Sequence, residues 1–245
     1  VEAPGEYPPA AKAARFDGGG TGTINAALAA GGYSPGASTC TEEYTGTSWA
    51  VGTATPNGRG HTYLVVSLNS AILVAGRNGC NKNFVTEHYD GSTWTAGGSL
   101  ASNAYNINGA GTENAALAIG GNAHDPSNND DVEHYNGINW SIGTNVTFGR
   151  RRGSSAGTQN ATFVAGGYSP AVSPAGLSAC TEEYNGTAWS TSGALATARG
   201  YMHGAGNTSK GIAMGGKTPT VVSCTELYNG GTFHGTLSAW SAGGA

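Results

Sequence analysis

The side chains that could do chemistry recur along the chain instead of gathering in one place. Five carboxylates, Glu42, Glu87, Glu133, Glu182 and Glu226, each stand two residues before a tyrosine, at Tyr44, Tyr89, Tyr135, Tyr184 and Tyr228. Like carboxylates brought to one axis would make a metal or acid–base centre. A position filled identically in every copy reads instead as a structural ring, because a catalytic site needs unlike groups. Arg15, Arg150 and Arg199 hold one offset ahead of the repeat; Arg59 stands one residue off it, and the third copy has Ala104. We expect these arginines and backbone N–H groups to satisfy the Glu ring, since a buried carboxylate requires such partners. The triplet Arg150, Arg151 and Arg152 is the one basic cluster and reads as a solvated turn.

Other reactive residues are sparse. Cys40, Cys180 and Cys224 lie four residues before the repeat tyrosine, where the second copy has Val85 and the third Asp131. Equivalence with Val85 points to Cys as a small core residue. Cys80 stands apart, and four cysteines leave free thiols and disulfides both open. No Cys-x-x-Cys pair signals structural zinc. His61, His88, His124, His134, His203 and His234 show no metal spacing, and His88 and His134, next to the repeat tyrosine, are expected to face outward. The run 124–131 offers oxygen ligands for Ca²⁺ without the strict loop pattern, so it reads as a turn-rich loop. With no Ser-His-Asp set, P-loop or dinucleotide fingerprint, the expectation is no catalytic residue, no metal and no cofactor.

These residues sit on a repeated frame. The phrase Thr181-Glu182-Glu183-Tyr184-Asn185-Gly186-Thr187-Ala188-Trp189 has four relatives, and the repeat tyrosines are 45, 46, 49 and 44 residues apart. An aromatic follows each tyrosine by five, at Trp49, Trp94, Trp140, Trp189 and Phe233. A small apolar run ending in Gly precedes each copy, at Gly31, Gly76, Gly120, Gly166 and Gly215. Nine residues earlier come Gly22, Ser67, Gly111, Gly157 and Gly206. Each copy reads as four short strands, with Asn-Gly or Asp-Gly (Thr45-Gly46 in the first) as a tight hairpin turn between the last two. Repeats of this length with four strands each predict an all-β fold, a five-bladed β-propeller with four antiparallel strands per blade. It would form a single domain over 1–245, with an N-terminal extension at 1–14 and blades near 15–55, 56–100, 101–145, 146–195 and 196–241. An open solenoid would instead need atypical capping repeats.

Composition excludes other classes. Gly accounts for 42 of 245 residues and charged residues for only 11%. Five Trp, eleven Tyr and five Phe argue against disorder. No apolar run approaches the roughly 18 residues of a membrane helix. Net charge of −4 with 11 basic residues argues against nucleic acid. Val1 opens the sequence with no charged-then-apolar leader, which reads as a mature or trimmed product.

The Gly-Gly pair followed by Tyr and Trp resembles the kelch repeat, and the phrase "TEEYNGT-W" resembles kelch-like repeats in structural proteins of marine bacteriophages and in secreted bacterial proteins. The resemblance implies a non-enzymatic binding or assembly role, in a virion or outside the cell. Partners would be other subunits of an assembly or, alternatively, a cell-surface glycan bound in lectin fashion. In a propeller the loops carry specificity. The loops after Gly-Gly emerge on one face, which would carry Tyr33, Arg77, Asn122, His124, Tyr168 and Lys217 around the axis.

Overall fold

The computed structural model describes residues 15–23, 25–67, 69–102, 104–122, 130–169 and 176–237. The first blade comprises β1 (Gly19–Thr23), β2 (Ala26–Ala30), β3 (Thr41–Tyr44) and β4 (Trp49–Val51). The second contains β5 (Tyr63–Ser67), β6 (Ser70–Val74), β9 (Val85–Tyr89) and β10 (Trp94–Ser99); between its middle strands a small ribbon pairs β7 (Arg77–Asn78) with β8 (Asn81–Lys82). The third is β11 (Asn108–Thr112), β12 (Ala115–Ile119), β13 (Val132–Tyr135) and β14 (Trp140–Ile142). The fourth is β15 (Ser154–Thr158), β16 (Ala161–Ala165), β17 (Thr181–Tyr184) and β18 (Trp189–Ser192). The fifth is β19 (His203–Gly206), β20 (Gly211–Met214), β21 (Thr225–Tyr228) and β22 (Phe233–Leu237). Every blade is an antiparallel meander of its own consecutive strands, so the fold is a five-bladed β-propeller with no strand exchanged among the described residues.

The register corrects two local expectations. Val66, not Ser67, is the partner of Ala71, matching Gly22 with Ala27 and Gly111 with Ala116. The second copy slipped because Ala75 replaces the first glycine of the Gly-Gly pair; it adopts φ 55 where Gly31 has 68. Counted from Val66, Arg59 falls at the common offset. The turn before the fourth strand is also not a two-residue hairpin. Tyr89 pairs with Trp94, leaving four loop residues, and Asp90 Oδ1 accepts from the backbone N–H of Ser92 and Thr93 at 2.8 and 2.7 Å. Asn136 and Asn185 do the same, so the side chain closes the turn and only the glycine needs positive φ.

Small second-strand residues bring the blades together, and the core lies between blades. Leu28 and Ala30 pack against Ala71, Leu73 and Tyr89. Ile72 and Val74 meet Ala116, Ala118 and Tyr135. Leu117 and Ile119 meet Val164 and Tyr184, and Phe163 and Ala165 meet Ala213 and Tyr228. A polar latch accompanies each junction: the tyrosine hydroxyl bonds a side chain of the preceding blade. The pairs are Tyr89 with Glu43, Tyr135 with His88, Tyr184 with His134, and Tyr228 with Ser192, itself bonded to Glu183. His88 and His134 therefore do not point to solvent. Burial lowers the pKa of both, opposed in His88 by Glu113.

The junction from the fifth blade to the first differs. Leu227 occupies the position of Glu43, His88, His134 and Glu183, and Tyr44 donates instead to Gly46 O at 2.8 Å. Among the described residues no buried apolar cluster spans this junction. Ala27, Ala29 and Tyr44 on one side and Ile212 and Met214 on the other are half-buried, whereas their counterparts Ala71, Leu73, Tyr89, Ile72 and Val74 are buried.

Candidate functional site

The repeated Glu residues are deep in the frame. Glu42 pairs with Arg15 at 3.0 Å, Glu87 with Arg59 at 2.6 Å, Glu182 with Arg150 at 2.5 Å and Glu226 with Arg199 at 3.0 Å. Each arginine also donates to the carbonyl of residue 40, 85, 180 or 224, so three of these four carbonyls belong to cysteines. The third blade, which has Ala104, keeps the linker donors without the arginine: Glu133 accepts from Ala101 N, Ser102 N and Ser102 Oγ at 2.9, 2.8 and 2.6 Å, as Glu182 accepts from Thr147 N and Phe148 N and Glu226 from Ala196 N. The ring thus pins each incoming linker to the third strand of its blade. Burial depresses the Arg59 and Arg150 pKa values, opposed by the facing Glu87 and Glu182. Arg150 is buried, Arg151 lies over the Tyr168 ring at 5.7 Å and Arg152 lies over Tyr201 at 4.2 Å. The expected solvated turn is therefore three differently employed arginines. All four cysteines are free thiols; Cys80 is exposed and the other three are half-buried.

Inner strands from all five blades enclose a central cavity of about 620 Å³. At the end where the post-glycine loops emerge, Asp17, His61, Asn106, Arg152 and Tyr201 occupy equivalent positions around its mouth. Each adopts a left-handed conformation, with φ of 54, 57, 58, 56 and 58°. That conformation costs a non-Gly residue on the order of 1 kcal/mol. A relay of backbone hydrogen bonds compensates: His61 N to Asp17 O at 2.8 Å, Asn106 N to His61 O at 3.3 Å, Arg152 N to Asn106 O at 3.2 Å and Tyr201 N to Arg152 O at 2.7 Å.

The side chains of this ring engage one another. His61 Nδ1 is 3.0 Å from Asp17 Oδ2 and 3.2 Å from Arg152 Nη2, so it can donate to the carboxylate or accept from the guanidinium, not both. The His61 hydrogen bond lowers the Asp17 pKa against the effect of burial, with help from the charges of His61, Arg152 and Arg77. Deeper in the cavity, burial pushes the Tyr63 phenol up to about 12.

A second ring surrounds the first. Tyr33, Arg77, Asn122, Tyr168 and Lys217 form equivalent antiparallel bridges with Phe16, Gly60, Tyr105, Arg151 and Gly200, each one residue before the inner ring. Tyr33 Oη donates to Arg77 O at 2.9 Å, Asn122 Nδ2 donates to Tyr105 Oη at 2.8 Å, and Arg77 lies 5.2 Å over the Tyr105 ring. His124 lies outside the described residues, as does most of the run 124–131. The inner ring escaped sequence reading because its members share no residue type. One signal would have found it: they stand two residues after Arg15, Arg59, Ala104, Arg150 and Arg199.

Unlike polar and aromatic groups are thus gathered at one end of the propeller's channel. No family model and no curated protein matches the chain. Among solved structures it is similar to that of YjhT, at 16% identity and a TM-score of 0.72, over 87% of this chain and 81% of that one. At that identity the likeness speaks to the propeller fold alone.

Proposed function

We propose that the protein is a non-enzymatic binding and assembly module that engages its partner through the channel mouth and the ring around it. One observation carries this reading. Scaffold positions repeat their residue types from blade to blade, whereas the mouth positions hold Asp, His, Asn, Arg and Tyr on a shared backbone geometry. A frame that keeps the backbone and varies the side chain there presents one composite surface, not five equal pockets. The kelch-like character of the repeats, with their likeness to structural proteins of marine bacteriophages, supports a place in a virion or an appendage. Immunogold electron microscopy of particles from the native source tests it: labelled particles support the assembly role, and a chain found only as free monomer contradicts it.

A second reading, a secreted lectin-like protein, draws on Tyr33, Tyr105, Tyr168 and Tyr201, flat rings beside hydrogen-bonding groups at the mouth. Strong binding to one sugar class on a glycan array favours it.

A further inference from the structure

We infer that the channel mouth takes a small ligand bearing an oxyanion: a carboxylate, sulfate or phosphate group. This inference rests on reading the mouth as a binding face and names what that face selects. The chain is acidic, with 11 basic side chains. Four of them, Arg15, Arg59, Arg150 and Arg199, are committed to the buried Glu ring. Lys12 lies outside the described residues, and Lys210 sits in the β19–β20 turn at the opposite end. The remaining five, Arg77, Lys82, Arg151, Arg152 and Lys217, all belong to the mouth end. Among the described residues the one carboxylate lining the cavity is Asp17.

Among the described residues these cations have no direct salt bridge, and the charges of Arg152 and Arg77 reach Asp17 only at longer range. Asp17 itself is paired with His61. Four of the cations rest on tyrosine faces instead: Arg77 and Lys82 at 5.2 and 5.7 Å from the Tyr105 ring, Arg151 on Tyr168 and Arg152 on Tyr201. A guanidinium stacked on a ring is oriented, with in-plane N–H groups available to a forked oxyanion, although Arg152 Nη2 already meets His61 Nδ1 at 3.2 Å. Arg77 Nε is buried and meets no hydrogen-bond acceptor among the described residues, as is also true of Arg59 Nε and Arg199 Nε in the frame. Concave shape, oriented donors and excess positive charge together select a compact anion and draw it in through the field of the cleft.

The test is calorimetric titration of the whole protein with glucuronate, glucose 6-sulfate and glucose 6-phosphate, with glucose as the neutral control. At least one charged sugar is expected to bind, glucose is expected not to, and affinity should fall with added salt. The three arms identify which oxyanion is preferred. Arg152→Gln and Arg77→Gln should each weaken binding about tenfold or more. Asp17→Asn should strengthen it, and Lys210→Gln, at the far end, should leave it unchanged. Unchanged melting temperatures establish that the variants fold. Glucose binding as tightly as the charged sugars, no binding by any charged sugar, or equal losses for Lys210→Gln and Arg152→Gln would overturn the inference. If those results coincide with a native partner that still binds and is lost on Arg152→Gln, the binding face stands and only the oxyanion class fails.

Discussion

Replacing Glu182 with Gln removes one charge from a pair in which both side chains are almost wholly buried. Stranding the partner of a buried ion pair costs about 3–5 kcal/mol. Arg150 is partly compensated, because it also donates to Phe148 O, Gly166 O and Cys180 O at 3.2, 3.2 and 2.8 Å. The loss should therefore sit near the low end, about 3 kcal/mol, or roughly 6–12 °C in melting temperature for a chain of this size. Glu133→Gln provides the internal comparison. Among the described residues Glu133 has no arginine; Oε1 accepts from Ser102 N and Oγ and Oε2 from Ala101 N, so a glutamine oxygen keeps the Ser102 bonds and its amide loses the Ala101 one. Its cost should be about 1–2 kcal/mol. Urea denaturation of both variants, with Arg150→Met/Glu182→Leu as a third, measures the difference. The double variant removes both charges but strands the Thr147 and Phe148 N–H groups that Glu182 accepts at 2.7 and 3.3 Å, so it should recover only part of what Glu182→Gln loses. If Glu133→Gln is as damaging as Glu182→Gln, or the double variant is worse than the single, the ion-pair reasoning is refuted.

The His88 and His134 latches make two blade junctions pH-sensitive. Their folded pKa values lie below the ordinary 6.5, so their contribution is present above that value and is lost as pH falls through the folded pKa. Hydrogen exchange, corrected for intrinsic rate, should quicken at the second-to-third and third-to-fourth junctions at pH 5 and not at the first-to-second. Leu227→His restores the missing latch residue opposite Tyr44 and should raise the melting temperature; differential scanning calorimetry checks it, and no rise would mean the open junction has another cause. Gly111→Ala should destabilise by about 1–3 kcal/mol, because Gly111 holds φ 104° and an added Cβ would lie 2.1 Å from Ala115 O; a chemical melt reads this. Thiol labelling of the native protein should modify Cys80 first, since it alone among the four is exposed.

The strand count, blade order and Glu–Arg offset were legible because scaffold positions repeat their residue types. The second blade was misread by one residue because Ala75 tolerates the left-handed conformation that glycine marks elsewhere. The turn at Asp90 was misjudged because Asx capping and a type I′ hairpin share the Asp-Gly letters. The outer ring of the mouth was accessible from loop position. The inner ring was not, since Asp17, His61, Asn106, Arg152 and Tyr201 are united by backbone conformation alone. The weak fifth junction depends on one substitution, Leu227, whose meaning appears only when the other four latches are seen.

The central claim separates a repeated frame that confers stability from a mouth that confers binding. Measuring melting temperature and partner or ligand affinity together for Glu182→Gln and Arg152→Gln tests it most directly. Glu182→Gln should lower the melting temperature and retain affinity at a temperature where it is folded, while Arg152→Gln should lose affinity with its melting temperature intact. The reverse assignment, or both properties falling together in both variants, would contradict it.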